Sequence, residues 1–159
     1  MDCENDVWAY DQMRRWEACK NINFQLFNIQ GFRQLFQNFS ENYIKQKIKE
    51  RIFDAKQVVL LIGEKTHRLS KFIDWELNLV LEMDLPIIAV NLNDIQYLGK
   101  NLCPLVLKNK NVLFVSFQAM IIMYALENFP HFYSNILDKT NKTDYYYGND
   151  VYQELGIVD

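Results

Sequence analysis

The pattern of residues 58–90, VVLLIGEKTHRLSKFIDWELNLVLEMDLPIIAV, predicts a strand, a helix and a second strand in succession, an order typical of α/β folds. Val58–Ile62 and Ile87–Val90 contain only apolar residues, which is typical of parallel strands that are buried on both faces. Between them, residues 70–83 repeat their apolar side chains with the period of an α-helix. Leu85-Pro86 is expected to end that helix. The unit predicts a parallel sheet covered by helices.

Elements of the same two kinds flank this unit. The pattern predicts helices at residues 6–20, 40–53 and 119–129 and strands at 24–27 and 112–115. The residues expected to face the core are Trp8, Met13 and Trp16 in the first helix, Ile44, Ile48 and Ile52 in the second, and Ile122, Met123 and Leu126 in the third. Ser40 is a suitable N-cap for the second helix, and Tyr145–Tyr147 are expected to pack across the fold. Alternating strands and helices favour a sheet with helices on both faces.

Glu76 is an acidic residue on the apolar side of the 70–83 helix. At about 100° per residue, one arc of roughly 120° contains Phe72, Ile73, Leu79, Val80 and Met83. Glu76 falls inside that arc, where a carboxylate is costly unless it is paired, hydrogen-bonded or lining a cavity. The helix follows the carboxyl end of a strand, and open α/β sheets bind ligands at that edge. Glu76 is therefore a candidate functional residue, and the alternative is a structural acid paired with a cation or with backbone N–H groups.

Composition excludes several classes of protein. The chain has 159 residues, half of them hydrophobic, which is enough for the core of one domain. A net charge of −3 argues against a nucleic-acid partner. No apolar run reaches the roughly 18 residues that span a bilayer, and residues 1–8 do not resemble a secretory signal. We therefore expect a cytoplasmic protein without a membrane partner.

The sequence lacks the common signatures of metal and cofactor sites. Cys3, Cys19 and Cys103 match no zinc spacing, and we interpret them as reduced thiols without a catalytic role. Neither a GxGxxG nor a GxxxxGK[ST] motif is present, which argues against Rossmann dehydrogenases and P-loop NTPases. The sequence therefore predicts no metal site and no bound cofactor.

Residues 48–93, IKERIFDAKQVVLLIGEKTHRLSKFIDWELNLVLEMDLPIIAVNLN, resemble the TIR-like family that includes the TIR protein of the Thoeris anti-phage system. The shared order is a helix rich in Lys and Ile, an apolar strand ending in IG, a helix with an aromatic-x-x-WE motif and a Pro-led strand. Residues 115–130, VSFQAMIIMYALENFP, and 144–156, DYYYGNDVYQELG, resemble the same group. The similarity therefore extends over most of the chain.

This resemblance implies an α/β architecture, the flavodoxin-like or TIR-like three-layer fold with a mainly parallel central sheet. Residues 1–159 are expected to form a single domain, with a core at about 1–130 and an extension at about 131–159. The chain starts where the first strand of such domains ends, so we expect that strand to be missing or truncated. Either upstream residues are absent from this sequence, another segment fills the position, or this copy is degraded.

The resemblance also implies that NAD is cleaved, as a substrate and not as a cofactor, to nicotinamide and an ADP-ribose or cyclic ADP-ribose-type signal. Glu76 matches the catalytic acid, and Phe72 matches the aromatic residue one turn before it. Further candidates for binding the substrate are Asp2, Thr66, His67 and Ser70, although Ser70 also suits a helix cap and His67 an exposed loop.

The implied partners are an effector protein that senses the product and further copies of this chain, which residues 28–39 are expected to contact. An alternative is a non-catalytic signalling or adaptor module that acts through protein contacts. A flavin- or nucleotide-binding domain of the flavodoxin type is a weaker interpretation, because no phosphate loop is recognisable.

Overall fold

The computed structural model describes residues 7–20, 38–64, 71–93, 102–136 and 143–159. Within them, four strands form one parallel sheet in chain order: β1 (Val58–Ile62), β2 (Ile87–Asn91), β3 (Leu113–Ser116) and β4 (Tyr145–Tyr146). The helices are α1 (Val7–Lys20), α2 (Glu41–Ile52), α3 (Lys71–Glu82), α4 (Ala119–Ser134) and α5 (Asn149–Glu154). A single 3₁₀ turn, Leu105–Leu107, precedes β3. The predicted α/β fold with a parallel sheet is confirmed.

Successive strand residues face opposite sides of the sheet and form two separate cores. Leu61, Ile88 and Val115 belong to the core under α1, α4 and α5. Leu60 and Ala89 belong to the core under α2 and α3. The two cores give the three layers expected for a flavodoxin-like fold, and they explain why the strands are apolar throughout.

The start of α2 follows the sequence prediction closely. The backbone N–H of Tyr43 donates to Ser40 Oγ at 3.3 Å, so Ser40 is the N-cap. Ile44, Ile48 and Ile52 are buried, as the i, i+4, i+8 spacing predicts. Local spacing and capping chemistry are sufficient to orient this helix.

The end of α3 depends on Asp84 rather than on the proline after it. Asp84 adopts a left-handed φ of +54°. The Leu85 N–H donates to the Val80 carbonyl at 3.2 Å, and the Asp84 N–H donates to the Leu81 carbonyl at 3.1 Å. This is a Schellman ending, which closes the helix before Pro86 begins to restrict the chain.

Two predicted helix faces are correct only in part. Among the α1 side chains that the structure describes, Met13 is buried as predicted and Trp16 packs against the core, but Ala9 is also buried and Trp8 is 52% exposed. In α4 the buried residues are Ile121, Ile122, Ala125, Phe129 and Tyr133. Met123 and Leu126 are only half-buried, because the sheet contacts a stripe turned toward Ala125. Small alanines mark close contact with the sheet, and a search for large apolar residues overlooks them.

Helix α4 also continues through Pro130, whereas the sequence predicts its end at residue 129. A proline has no N–H to donate to the carbonyl four residues earlier, which here is that of Leu126. Gln57 Nε2 donates to the Leu126 carbonyl at 3.1 Å and replaces the missing bond. A side chain that is distant in sequence therefore satisfies the carbonyl that the proline leaves without a backbone donor.

The strand predicted at residues 24–27 lies outside the described residues. The expectation of a missing first strand depends on the start of the chain, which also lies outside them. In the part of the chain that the structure describes, no helix combines the length and apolar character needed to cross a membrane.

Candidate functional site

Glu76 lies in the second turn of α3, the helix that follows the carboxyl end of β1. In a parallel sheet, a helix after a strand begins near that strand's carboxyl end and runs back along the sheet. The early part of α3 is therefore close to the edge where β1, β2 and β3 end. This position agrees with the ligand edge expected from the sequence.

Among the α3 side chains that the structure describes, the buried stripe contains Ile73, Leu77 and Val80, which pack against α2 and the sheet. Leu79 and Met83 are only half-buried, so the stripe is turned relative to the arc expected from the sequence. At about 100° per residue, Glu76 lies roughly 65° from the middle of the stripe. It therefore borders the core instead of occupying the centre of the apolar face.

The Glu76 side chain is half-buried. Burial removes water from the carboxylate and raises its pKa from 4.5 to about 7. Among the residues that the structure describes, no hydrogen bond or ion pair compensates this carboxylate. A sheltered acid with a raised pKa is a candidate functional group, since buried acids in a purely structural role are normally paired.

Of the other predicted site residues, Phe72 alone lies within the residues that the structure describes. Phe72 lies on α3 one turn before Glu76. Asp2, Thr66, His67 and Ser70 lie outside the described residues. Their proposed contacts with a substrate remain predictions.

Two buried polar residues at the sheet edge were not predicted. Asn91 ends β2 and Ser116 ends β3; they are paired in register, and Asn91 also pairs with Ile62 of β1. They are 1% and 2% exposed. A polar residue at the end of an otherwise apolar strand could have indicated them, because parallel sheets bind ligands just beyond the carboxyl ends of their strands. Both strands extend one residue beyond the ends that the sequence predicts.

These two residues help to fix the carboxyl edge of the sheet. Asn91 Oδ1 accepts from the Asn93 N–H at 3.1 Å, which orders the turn after β2. The Ser116 N–H donates to the Tyr152 hydroxyl at 3.3 Å, which ties α5 to β3. The Ser116 hydroxyl oxygen is buried and has no hydrogen-bond partner within the described ranges.

An aromatic cluster lies immediately after β3. The ring centroids of Trp8 and Trp16 are 5.1 and 4.9 Å from that of Phe117. Because Phe117 follows Ser116, these contacts bring α1 to the same edge of the sheet as the ends of β2 and β3. The edge therefore combines buried polar groups with a partly exposed apolar rim.

Comparison with known families agrees with this architecture. A family model described as "Thoeris protein ThsB, TIR-like domain" matches residues 2–97, which is more than half of the 159 residues. A search of curated proteins found no match. The matched segment includes α1 to β2 and therefore contains both Glu76 and Asn91. The chain belongs to the TIR-like domain family of the Thoeris protein ThsB, and this membership supports a TIR-like role in anti-phage defence.

Proposed function

We propose that this protein cleaves the bond between nicotinamide and ribose in NAD and that Glu76 is the catalytic residue. The observation that carries the proposal is the half-buried carboxylate near the carboxyl edge of the sheet, whose pKa burial raises to about 7. Perturbed acids at ligand edges are candidates for functional sites. Family membership supports the same interpretation.

The chemistry requires one anionic group beside the nicotinamide ribose. The glycosidic C–N bond breaks with its electron pair leaving on nicotinamide, and positive charge develops on the ribose as an oxocarbenium-like state. The ionised Glu76 stabilises that charge, and it does so more strongly in a desolvated setting. Attack by water at the same carbon releases a proton and gives ADP-ribose, whereas attack by the adenine of the same molecule gives a cyclic product.

The substrate contacts and partners in this proposal come from the resemblance. Phe72 forms a wall of the pocket, and Asp2, Thr66, His67 and Ser70 contact the nucleotide. The product acts in the cytoplasm as a signal for an effector protein. TIR-like enzymes of this kind are expected to need a trigger or self-association before they act.

Nicotinamide release from NAD tests the proposal. The purified chain, alone and with lysate of phage-infected cells, is compared with Glu76→Gln and with Glu82→Gln. Glu82 is a matched control because it is an exposed acid on the same helix. We expect Glu76→Gln to lose at least about 100-fold in rate, the scale on which a positioned charged group contributes, and Glu82→Gln to retain activity. Equal release by Glu76→Gln and the parent would remove Glu76 from the mechanism.

A non-catalytic adaptor is the second candidate function, and exposed aromatic side chains favour it. Phe39 and Tyr43 stack at 4.8 Å and are 50% and 38% exposed. Solvent-facing aromatic pairs are frequent at protein interfaces. Protection against phage distinguishes the two functions: an adaptor keeps it in Glu76→Gln and loses it in Phe39→Ser, while an enzyme shows the loss in Glu76→Gln.

A further inference from the structure

A groove of about 390 Å³ lies between α2 and α3, apart from the Glu76 carboxylate. Its lining includes Lys45 and Lys49 from α2 and Trp75, Asn78 and Glu82 from α3. We call it the α2–α3 groove. Its volume is within the range of small-ligand pockets, and the proposed cleavage of NAD does not use it.

The packing of the two helices explains how the groove forms. The buried residues Ile48 and Leu77 bring the helices together from below, so the next side chains around each helix form two facing walls. Lys45 Nζ lies 4.5 Å from the centroid of the Trp75 ring, a cation–π distance. The groove therefore presents a flat aromatic surface with a cation directly above it.

The charges and polar groups of the groove are complementary to one class of ligand. Lys45 and Lys49 supply two positive charges, while Glu82 supplies one negative charge. The amides of Asn78 and Gln46 also line it; Asn78 Nδ2 donates to the Asp74 carbonyl at 2.8 Å, and Gln46 Nε2 donates to Glu50 Oε1 at 3.4 Å. A flat ring stacks on tryptophan, amides pair with the edge of a base, and lysines bind phosphate.

We propose that the α2–α3 groove binds a planar anion of the mononucleotide class, with its ring on Trp75 and its phosphate between Lys45 and Lys49. The Lys45 ammonium then exchanges its contact with the ring for an ion pair with the phosphate. Glu82 repels additional phosphates, so a monophosphate binds better than a triphosphate. An acidic peptide fits less well, because it uses the lysines but not the flat ring and the amides.

NMR of the ¹⁵N-labelled chain tests this site. The indole N–H signal of Trp75 is assigned with Trp75→Phe, and the chain is then titrated with AMP. We expect AMP to shift this signal, and adenosine or inorganic phosphate alone to bind at least about tenfold more weakly, because each uses only half of the site. ATP is expected to bind more weakly than AMP.

A pair of lysine variants locates the binding. The double variant Lys45→Gln/Lys49→Gln is expected to weaken AMP binding about tenfold, while Lys56→Gln, an exposed lysine outside the groove, leaves it unchanged. AMP that binds the double variant as well as the parent lies elsewhere on the chain and overturns the proposal. No shift at millimolar AMP, or tighter binding of a Glu-rich peptide than of AMP, overturns it too. None of these outcomes depends on whether Glu76 cleaves NAD.

Discussion

At the scale of single residues, Glu76 combines an acidic group with a sheltered position at the border of the core. Its placement on the inward side of α3 could be predicted from the sequence, because apolar periodicity extends on both sides of it. Its distance from the centre of the buried stripe could not be predicted, because the large apolar residues Leu79 and Met83 are only half-buried and lie away from that centre. Asn91 and Ser116 were overlooked because the boundaries of short strands are poorly marked in sequence.

The rate of NAD cleavage is expected to depend on pH through the ionisation of Glu76. Glu76 must be ionised to stabilise a developing positive charge, and its pKa is about 7 in the folded chain. We therefore expect kcat/KM to rise with pH and to level off above a midpoint near pH 7. The measurement is the rate of nicotinamide release between pH 5.5 and 9. A profile that is flat across pH 7 would mean that ionisation of Glu76 does not control the reaction.

The stability of Glu76→Gln gives a second prediction. The folded chain binds the Glu76 proton more tightly than the unfolded chain, because folding raises its pKa from 4.5 to about 7. This contribution to stability is therefore fully present below pH 4.5, declines as the pH rises to 7 and is absent above. Urea denaturation at pH 8 is expected to show Glu76→Gln more stable than the parent by at most about 3 kcal/mol.

Repeating the denaturation at pH 5 provides the internal control, since most of that gain should then vanish. Glu82→Gln, on the exposed face of the same helix, should behave like the parent at both pH values. A Glu76→Gln variant that is less stable than the parent at pH 8 would contradict a net cost of burying the ionised Glu76 carboxylate.

At the scale of elements, sequence patterns predicted the helices best where the rule is local. The spacing of Ile44, Ile48 and Ile52 and the cap at Ser40 both proved correct. The end of α4 was wrong because the bond that carries it past Pro130 comes from Gln57, a contact that no local pattern reveals. Strand β4, in the Tyr145–Tyr147 run, is too short to give an alternating signal.

The contact between Gln57 and α4 can be tested by a double-mutant cycle. Gln57→Leu removes the donor to the Leu126 carbonyl and is expected to lower the free energy of unfolding by about 1 kcal/mol. In a Pro130→Ala background, the new backbone N–H at position 130 can donate to the same carbonyl. The loss caused by Gln57→Leu should then shrink. An equal loss in both backgrounds, measured by urea denaturation, would show that Gln57 does not compensate for the proline.

At the scale of the whole molecule, one sheet with a core on each face positions the candidate site. The apolar strands predicted this layering, because only a sheet covered on both faces buries such runs completely. The same arrangement brings α3, the ends of β2 and β3, and the aromatic cluster around Phe117 to the carboxyl side of the sheet. The family match ends at residue 97, yet β3, β4 and α5 complete the same sheet and cores.

The link between α5 and the sheet gives a prediction for the part of the chain beyond the family match. Tyr152 is buried, and its hydroxyl accepts from the Ser116 N–H. Tyr152→Phe leaves that N–H without its acceptor and is expected to lower the free energy of unfolding by about 1–2 kcal/mol. Tyr10→Phe, in the half-buried part of α1, is a matched control. Equal unfolding midpoints for Tyr152→Phe and the parent would show that this bond contributes little.

The pKa of Glu76, followed by ¹³C NMR of its side-chain carboxyl group, tests directly whether this residue is a sheltered catalytic carboxylate. The chain is titrated alone and with a non-cleavable NAD analogue that keeps the cationic nicotinamide ring. We expect a pKa near 7 in the free chain and a lower value with the analogue bound, because a nearby positive charge favours the ionised carboxylate. A pKa near 4.5 that the analogue leaves unchanged would contradict a sheltered catalytic carboxylate at position 76.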